Sequence, residues 1–203
     1  MNPMLPITRT LIMANVGAFL VQYFASDNIV YQFALWPWGT SLFHVWQLVT
    51  YGFLHGGFAH LFFNMFALYM FGSSIEQVLG TRRYLIYYFA SVIGAAVMHL
   101  LVTGLMGGLL LPTVGASGGV FGLLLAFGMF FPQQRIMLLI PPIPMKAWVF
   151  VTLYGLVELA MGVFGTMQGV AHFAHLGGML AGFILLSIWR LPTRKNHGSG
   201  VDW

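Results

Sequence analysis

Three short stretches of the sequence hold the residue types that acyl transfer needs. Gly115-Ala116-Ser117-Gly118-Gly119 offers a hydroxyl, and Ala171-His172-Phe173-Ala174-His175 offers two imidazoles. His55-Gly56-Gly57-Phe58-Ala59-His60, followed by Asn64, offers further donors, with His60 and Asn64 spaced i, i+4 on one helix face. A serine becomes a nucleophile when a base lies within hydrogen-bond reach, and the tetrahedral intermediate needs fixed donors for its oxyanion. Ser117, one of the two histidines, and His60/Asn64 with the Ser117 N–H supply these three parts. Each stretch alone has a plainer reading: Gly-x-Ser-Gly in an apolar helix is a packing motif, and a His pair at i, i+3 is a structural or metal pair. The combination carries the weight.

The elements that must position these residues are membrane helices. The chain of 203 residues is 59% hydrophobic and 6% charged, against about a quarter charged in a soluble domain. A spanning helix takes about 20 mostly apolar residues, and six stretches qualify: 8–26, 58–79, 84–106, 115–133, 145–164 and 170–190. The expected fold is all-α, a polytopic bundle of six transmembrane helices forming one domain over 1–195, with a polar tail at 196–203. The first apolar run, Leu11 to Ala25, lacks a leader-peptide cleavage pattern and is taken as the first span. The segment 27–57 carries Trp36, Trp38, Phe43, Trp46 and Tyr51 but is broken by Pro37, Gly39 and Gly52, so it is expected to lie at the headgroup level as a membrane-associated loop.

The basic residues fall in four places: Arg9, Arg82 with Arg83, Arg135 with Lys146, and Arg190 with Arg194 and Lys195. This is the positive-inside pattern for six spans with both termini cytoplasmic, and it turns the loops at 27–57, 107–114 and 165–169 outward. No basic patch suits a nucleic acid. The chain has no cysteine, which excludes disulfides, thiolate metal sites and a cysteine nucleophile.

With this topology the second, fourth and sixth helices all begin at their outer ends, which brings His60/Asn64, Ser117 and His172/His175 to similar depth. Gly118 and Gly122 on one helix, and Gly178 and Gly182 on another, form small-xxx-small pairs that let backbones approach closely in lipid. On a helical wheel the Gly178/Gly182 stripe lies about 40° from His175 and about 100° from His172. His175 is therefore the expected base, and His172, about 4.5 Å higher along the axis, a supporting residue.

Taken together, Phe53-Leu54-His55-Gly56-Gly57, His60-x-x-x-Asn64, Gly115-Ala116-Ser117-Gly118 and Ala174-His175-Leu176-Gly177-Gly178 resemble the rhomboid family of intramembrane serine proteases, in its bacterial-type six-helix form. The resemblance runs from about Trp46 to Gly182. It implies a Ser-His catalytic dyad at Ser117 and His175, oxyanion stabilisation by His60 and Asn64, transmembrane protein substrates in the lipid bilayer, no cofactor or metal, and a bacterial inner membrane. Gly115, Gly118, His55 and His172 are the supporting residues around this set. Many relatives carry Trp-Arg where this chain has Trp46-Gln47, and some carry Tyr one turn after the serine, where this chain has Phe121. Phe121 shares the face of Ser117 and can pack on the His175 ring without offering a hydroxyl.

Two carboxylates remain inside the apolar stretches. Glu76, at the inner end of its helix, is expected to pair with or cap the Arg82/Arg83 loop; Glu158 is left unassigned. No aspartate is placed to orient His175, so a dyad is expected rather than a triad. Two other functions compete: a metal-binding membrane transporter using His55, His60, His172 and His175 as ligands, and a non-catalytic rhomboid-like protein that binds membrane proteins without cutting them.

Overall fold

The computed structural model describes residues 4–24, 28–106, 111–137, 142–164 and 172–191. Its helices are α1 (Pro6–Phe24), α2 (Asn28–Phe33), α3 (Gln47–Thr50) continued by a 3-10 turn (Tyr51–Phe53), α4 (Phe58–Met106), α5 (Ser117–Phe130), α6 (Ala147–Phe164) and α7 (His172–Trp189). The tail at 196–203, Arg194 and Lys195, the loop at 165–169 and the first half of that at 107–114 lie outside the described residues.

α4 holds two of the expected spans. Gly80, at φ 71° and ψ 159°, breaks it into 58–79 and 81–106. Only glycine adopts that conformation without strain, and the helix resumes at the next residue. The expected connection at 80–83 is therefore a one-residue kink, and Arg82 and Arg83 sit in helix. Arg83 lies over the Trp189 ring at 5.7 Å, which ties the start of the second half to the end of α7.

The bundle is built around α5. Of its 14 residues only Ser117, Leu125 and Met129 are not buried. It is about 21 Å long at 1.5 Å per residue, short of the roughly 30 Å apolar thickness of a bilayer. The expected span 115–133 is thus trimmed at both ends. A helix walled by protein has no need to match the bilayer, and α4 and α7 supply the walls while packing on each other. The glycine stripes allow this approach: a Cβ on Gly178 would overlap the Gly118 carbonyl, one on Gly122 the Ser91 side chain, and one on Gly182 the Tyr87 hydroxyl.

The outside is apolar. Phe62, Phe63, Leu156, Phe183 and Ile188 are all exposed, an arrangement that water would penalise and lipid accommodates. Among the described residues, three helices are long and apolar enough to cross a membrane: α4, broken at Gly80, α6 and α7. α1 is interrupted by Thr8, Arg9, Thr10, Asn15 and Gln22, and α5 is short. The chain is an integral membrane protein.

Residues 28–57 form a ring of short elements with a polar hub. Gln47 is fully buried. Its Nε2 donates to the carbonyls of Gln32 (3.2 Å) and Leu42 (2.9 Å), and its Oε1 accepts from the N–H groups of Trp36 (3.3 Å) and His44 (3.2 Å). A neutral amide with two donor hydrogens and two lone pairs is thereby used fully, where a cation would leave two buried N–H groups without acceptors. Leu35 pairs with Thr113 through reciprocal backbone bonds of 2.9 Å, and Gly115 N–H donates to the Tyr51 carbonyl (3.0 Å). The ring is in this way latched to the segment that leads into α5.

Two expectations need correcting. The fold is not wholly α: between α5 and α6, β1 (Arg135–Met137) pairs antiparallel with β2 (Pro144–Lys146), burying Ile136. Three-residue strands fall below the four to eight residues at which alternation becomes readable. Glu76 does not serve the Arg82/Arg83 loop. Its carboxylate accepts from the N–H groups of Ile7 (3.1 Å) and Thr8 (2.8 Å) and from the Thr8 hydroxyl (2.8 Å). It caps α1 across the bundle, where the free N–H groups and dipole of a helix start attract an anion.

Candidate active site

The backbone before α5 prepares the serine. Gly115 stands at φ 135°, and a Cβ there would come within 2.8 Å of His60 Cε1 and 2.9 Å of His60 Nε2, so both conformation and space require glycine. Ala116 is the helix cap and offers no side-chain bond, so the N–H groups of the first turn, Ser117 and Gly118 among them, have no carbonyl one turn back to bond. Ser117 is the first helical residue and only partly exposed.

His175 reaches it from α7. The distance from His175 Nε2 to Ser117 Oγ is 3.0 Å. Phe121, one turn beyond Ser117, lies under the imidazole with ring centroids 4.1 Å apart and planes within 6°. Tyr154 of α6 also stacks on Phe121, at 5.4 Å.

The third hold on the imidazole comes from α6. Glu158 Oε2 is 2.9 Å from His175 Nδ1 and 2.7 Å from His172 Nδ1. No aspartate approaches His175 among the described residues, but Glu158, left unassigned from the sequence, stands at its Nδ1, so the expected dyad has a carboxylate neighbour. The signal was present, since Glu158 is the one carboxylate well inside an apolar stretch of the second half of the chain, and an intramembrane carboxylate with no evident partner is a functional suspect. With Nδ1 facing a carboxylate, the assigned tautomer carries its proton there and presents the Nε2 lone pair to the Ser117 hydroxyl. An imidazole so held can take the hydroxyl proton, and Phe121 beneath it favours the cation that results.

His60 and Asn64 come from the start of α4, with the His60 ring beside Gly115. His60 Nδ1 accepts from the Gly56 N–H at 3.2 Å, which leaves its hydrogen on Nε2, the atom beside Gly115. Asn64 is buried and donates one amide hydrogen to the His60 carbonyl (2.9 Å), the second having no acceptor among the described residues. Behind them His55 is fully buried, its ring 5.2 Å from that of His60 and edge-on to it. Burial first, and then the proximity of His60, push His55 down to about 4, so it stays neutral near pH 7. Its backbone is clasped by Gln22 of α1, which donates to the His55 carbonyl (2.8 Å) and accepts from its N–H (3.0 Å).

Of the four histidines in the metal reading, His172 and His175 fall with Glu158 in one cluster among the described residues, their ligand atoms within 4.8 Å of one another, and His55 and His60 are not part of it. Gly118, expected to support the site, packs against Ala95 and the Gly178 backbone, drawing α5 and α7 close enough for the Ser117 to His175 contact.

Comparison with known proteins agrees with the motifs. Residues 42–191 match the family model described as the Rhomboid domain. The mitochondrial Rhomboid protein 1 of Saccharomyces cerevisiae is 33% identical over 139 residues, covering 68% of this chain and 40% of the yeast protein. RHOMBOID-like protein 4 of Arabidopsis thaliana is 36% identical over 153 residues, 75% of this chain and 36% of its own. Rhomboid protease GlpG of Photorhabdus laumondii is 27% identical over 196 residues, 95% of this chain and 64% of its own. The chain thus spans between about a third and two thirds of the length of these relatives, which include organellar as well as bacterial proteins. With the family's domain matched from the latched loop to the end of α7, the chain belongs to the rhomboid family.

Proposed function

We propose that the chain is an intramembrane serine endopeptidase that cuts transmembrane segments of membrane-protein substrates. The observation that carries this reading is the 3.0 Å approach of His175 Nε2 to Ser117 Oγ at the start of α5. Ser117 donates its proton to His175 and attacks the scissile carbonyl. The oxyanion is met by the Ser117 N–H, by His60 Nε2–H and by the free amide hydrogen of Asn64. His175 then returns the proton to the leaving amine, and a water repeats the cycle on the acyl-enzyme. Six crossings, counting α1, the two parts of α4, α5, α6 and α7, with both termini cytoplasmic, are the topology that fits the basic residues, and a bacterial inner membrane is the proposed location.

The family relatives named as proteases support this reading, and Ser117 and His175 together argue against a binding protein without turnover. The metal reading draws on the Glu158/His172/His175 cluster. In the serine reading, however, Glu158 Oε2 already bonds the Nδ1 of both histidines, so the cluster has a role without an ion. The purified protein in liposomes, given a transmembrane substrate with small and helix-breaking residues near its outer end, is expected to cut it equally well with and without EDTA. Activity that disappears in EDTA, with a stoichiometric metal in the protein, would favour the metal reading. In the same assay Asn64→Ala is expected to lower kcat by less than loss of Ser117 does. Removing one oxyanion donor costs about 100-fold to 1000-fold in soluble proteases, and full activity would take Asn64 out of the site.

A further inference from the structure

We infer that Glu158 and His172 form a positioning pair that turns the Ser117/His175 couple into a carboxylate-oriented triad; the inference rests on the serine protease reading above. Glu158 and His172 are both buried, with side chains 8% and 6% exposed, and lie on different helices, α6 and α7. One oxygen, Glu158 Oε2, receives both imidazoles, His172 Nδ1 at 2.7 Å and His175 Nδ1 at 2.9 Å. His172 and His175 are three residues apart on α7, about 60° around the helix, and so converge on a single acceptor.

The chemistry follows from who holds the protons. A carboxylate only accepts, so both Nδ1 atoms carry hydrogen. For His175 this leaves Nε2 as an acceptor aimed at Ser117, the tautomer a general base requires. For His172 it leaves a lone pair on Nε2, which is buried and has no partner among the described residues. A buried lone pair without a partner is tolerated better than a buried N–H without one. The function of His172 is to fix Glu158 from the far side. When His175 takes the serine proton it becomes a cation 2.9 Å from a carboxylate already in place. Nothing has to reorient as that charge forms. His172 touches neither Ser117 nor its proton and acts only through Glu158.

An alternative is that the three side chains merely cross-link α6 to α7. The two readings separate in kinetics. Glu158→Gln places an amide where the acid stood; its NH2 can donate to Nδ1, which moves the His175 hydrogen to Nε2 and removes the acceptor from Ser117. Wild-type protein is measured first, for cleavage and for the rate at which a fluorophosphonate labels Ser117. If it does neither, the protease reading itself fails. If it does both, Glu158→Gln is expected to lower kcat by about 100-fold to 10000-fold, the upper figure being that of an acid-to-amide change in a soluble triad. KM should stay within about threefold, and the labelling rate should fall in step with kcat. His172→Ala is expected to lower kcat about tenfold, His172→Gln to recover much of that loss through its amide donor, and His172→Ala with Glu158→Gln to be no slower than Glu158→Gln alone, because residues that act through one another are not additive. Glu158→Gln at wild-type kcat, or additive losses in the double variant, would overturn the inference. If Glu158→Gln does not fold, the His172 pair decides: equal kcat in His172→Ala and His172→Gln, or a loss seen only as a lower melting temperature, would overturn it as well.

Discussion

Ser117→Ala is expected to abolish cleavage of a transmembrane substrate while leaving the protein folded. Ser117 opens α5 without capping it, since the cap position is Ala116 and makes no side-chain bond. The hydrogen bond its hydroxyl makes among the described residues is the one to His175 Nε2. Alanine is an excellent helix former, so the change removes the reacting oxygen and little else. In a soluble serine protease the loss of the nucleophile lowers kcat about a millionfold, which is below detection in a liposome assay. The melting temperature should be unchanged within about 2 °C, as befits a surface-like change of under about 0.5 kcal/mol. Cleavage by the purified variant at the wild-type rate would remove Ser117 from the reaction.

The second large effect separates the two histidines of α7. His175→Ala is expected to be as inactive as Ser117→Ala, because without a base within reach the hydroxyl is a poor nucleophile. His172→Ala should retain measurable cleavage. The contrast follows from the geometry: His175 touches both Ser117 (3.0 Å) and Glu158 (2.9 Å), whereas His172 touches Glu158 alone among the three. Both variants are read in the same cleavage assay, with circular dichroism to confirm helix content. An active His175→Ala beside an inactive His172→Ala would mean that the base had been assigned to the wrong imidazole.

Much of this arrangement was legible in the sequence because membranes restrict the options. Long apolar runs with basic residues in alternate connections favour one topology, and that topology would place the starts of three helices at one depth. Once His60, Ser117 and His175 occupy helix starts, and glycine stripes allow α5 and α7 to touch, the meeting of Ser117 with His175 follows from the helical period. The stacking of Phe121 on His175 follows from the same i, i+4 arithmetic. What was not legible depends on how helices rotate about their own axes. Glu158 lies 17 residues from His175, and whether α6 turns that face inward or toward lipid is decided by packing against α5 and α7, for which the sequence of α6 carries only weak periodicity.

Glu76 escaped for a related reason. Its partners Ile7 and Thr8 lie 69 and 68 residues away, on the first helix, while the nearby Arg82 and Arg83 offered a local partner that the helix direction places out of use. Gly80 was visible as a breaker, yet a single left-handed residue redirects the chain without the loop that the spacing of apolar runs suggested. The hairpin of β1 and β2 is too short to print an alternation. In each case local pattern located the element, and long-range packing decided what it touched.

If Ser117 is an activated nucleophile, covalent labelling reads it directly, without any need to know the substrate. Purified wild-type protein in detergent or liposomes is treated with a fluorophosphonate in the presence of EDTA, digested, and the modified residue located by mass spectrometry. The account predicts one phosphonyl group per chain, on Ser117, and none after heat denaturation or in His175→Ala. No labelling of the folded wild-type protein, or labelling at a different serine, would contradict it.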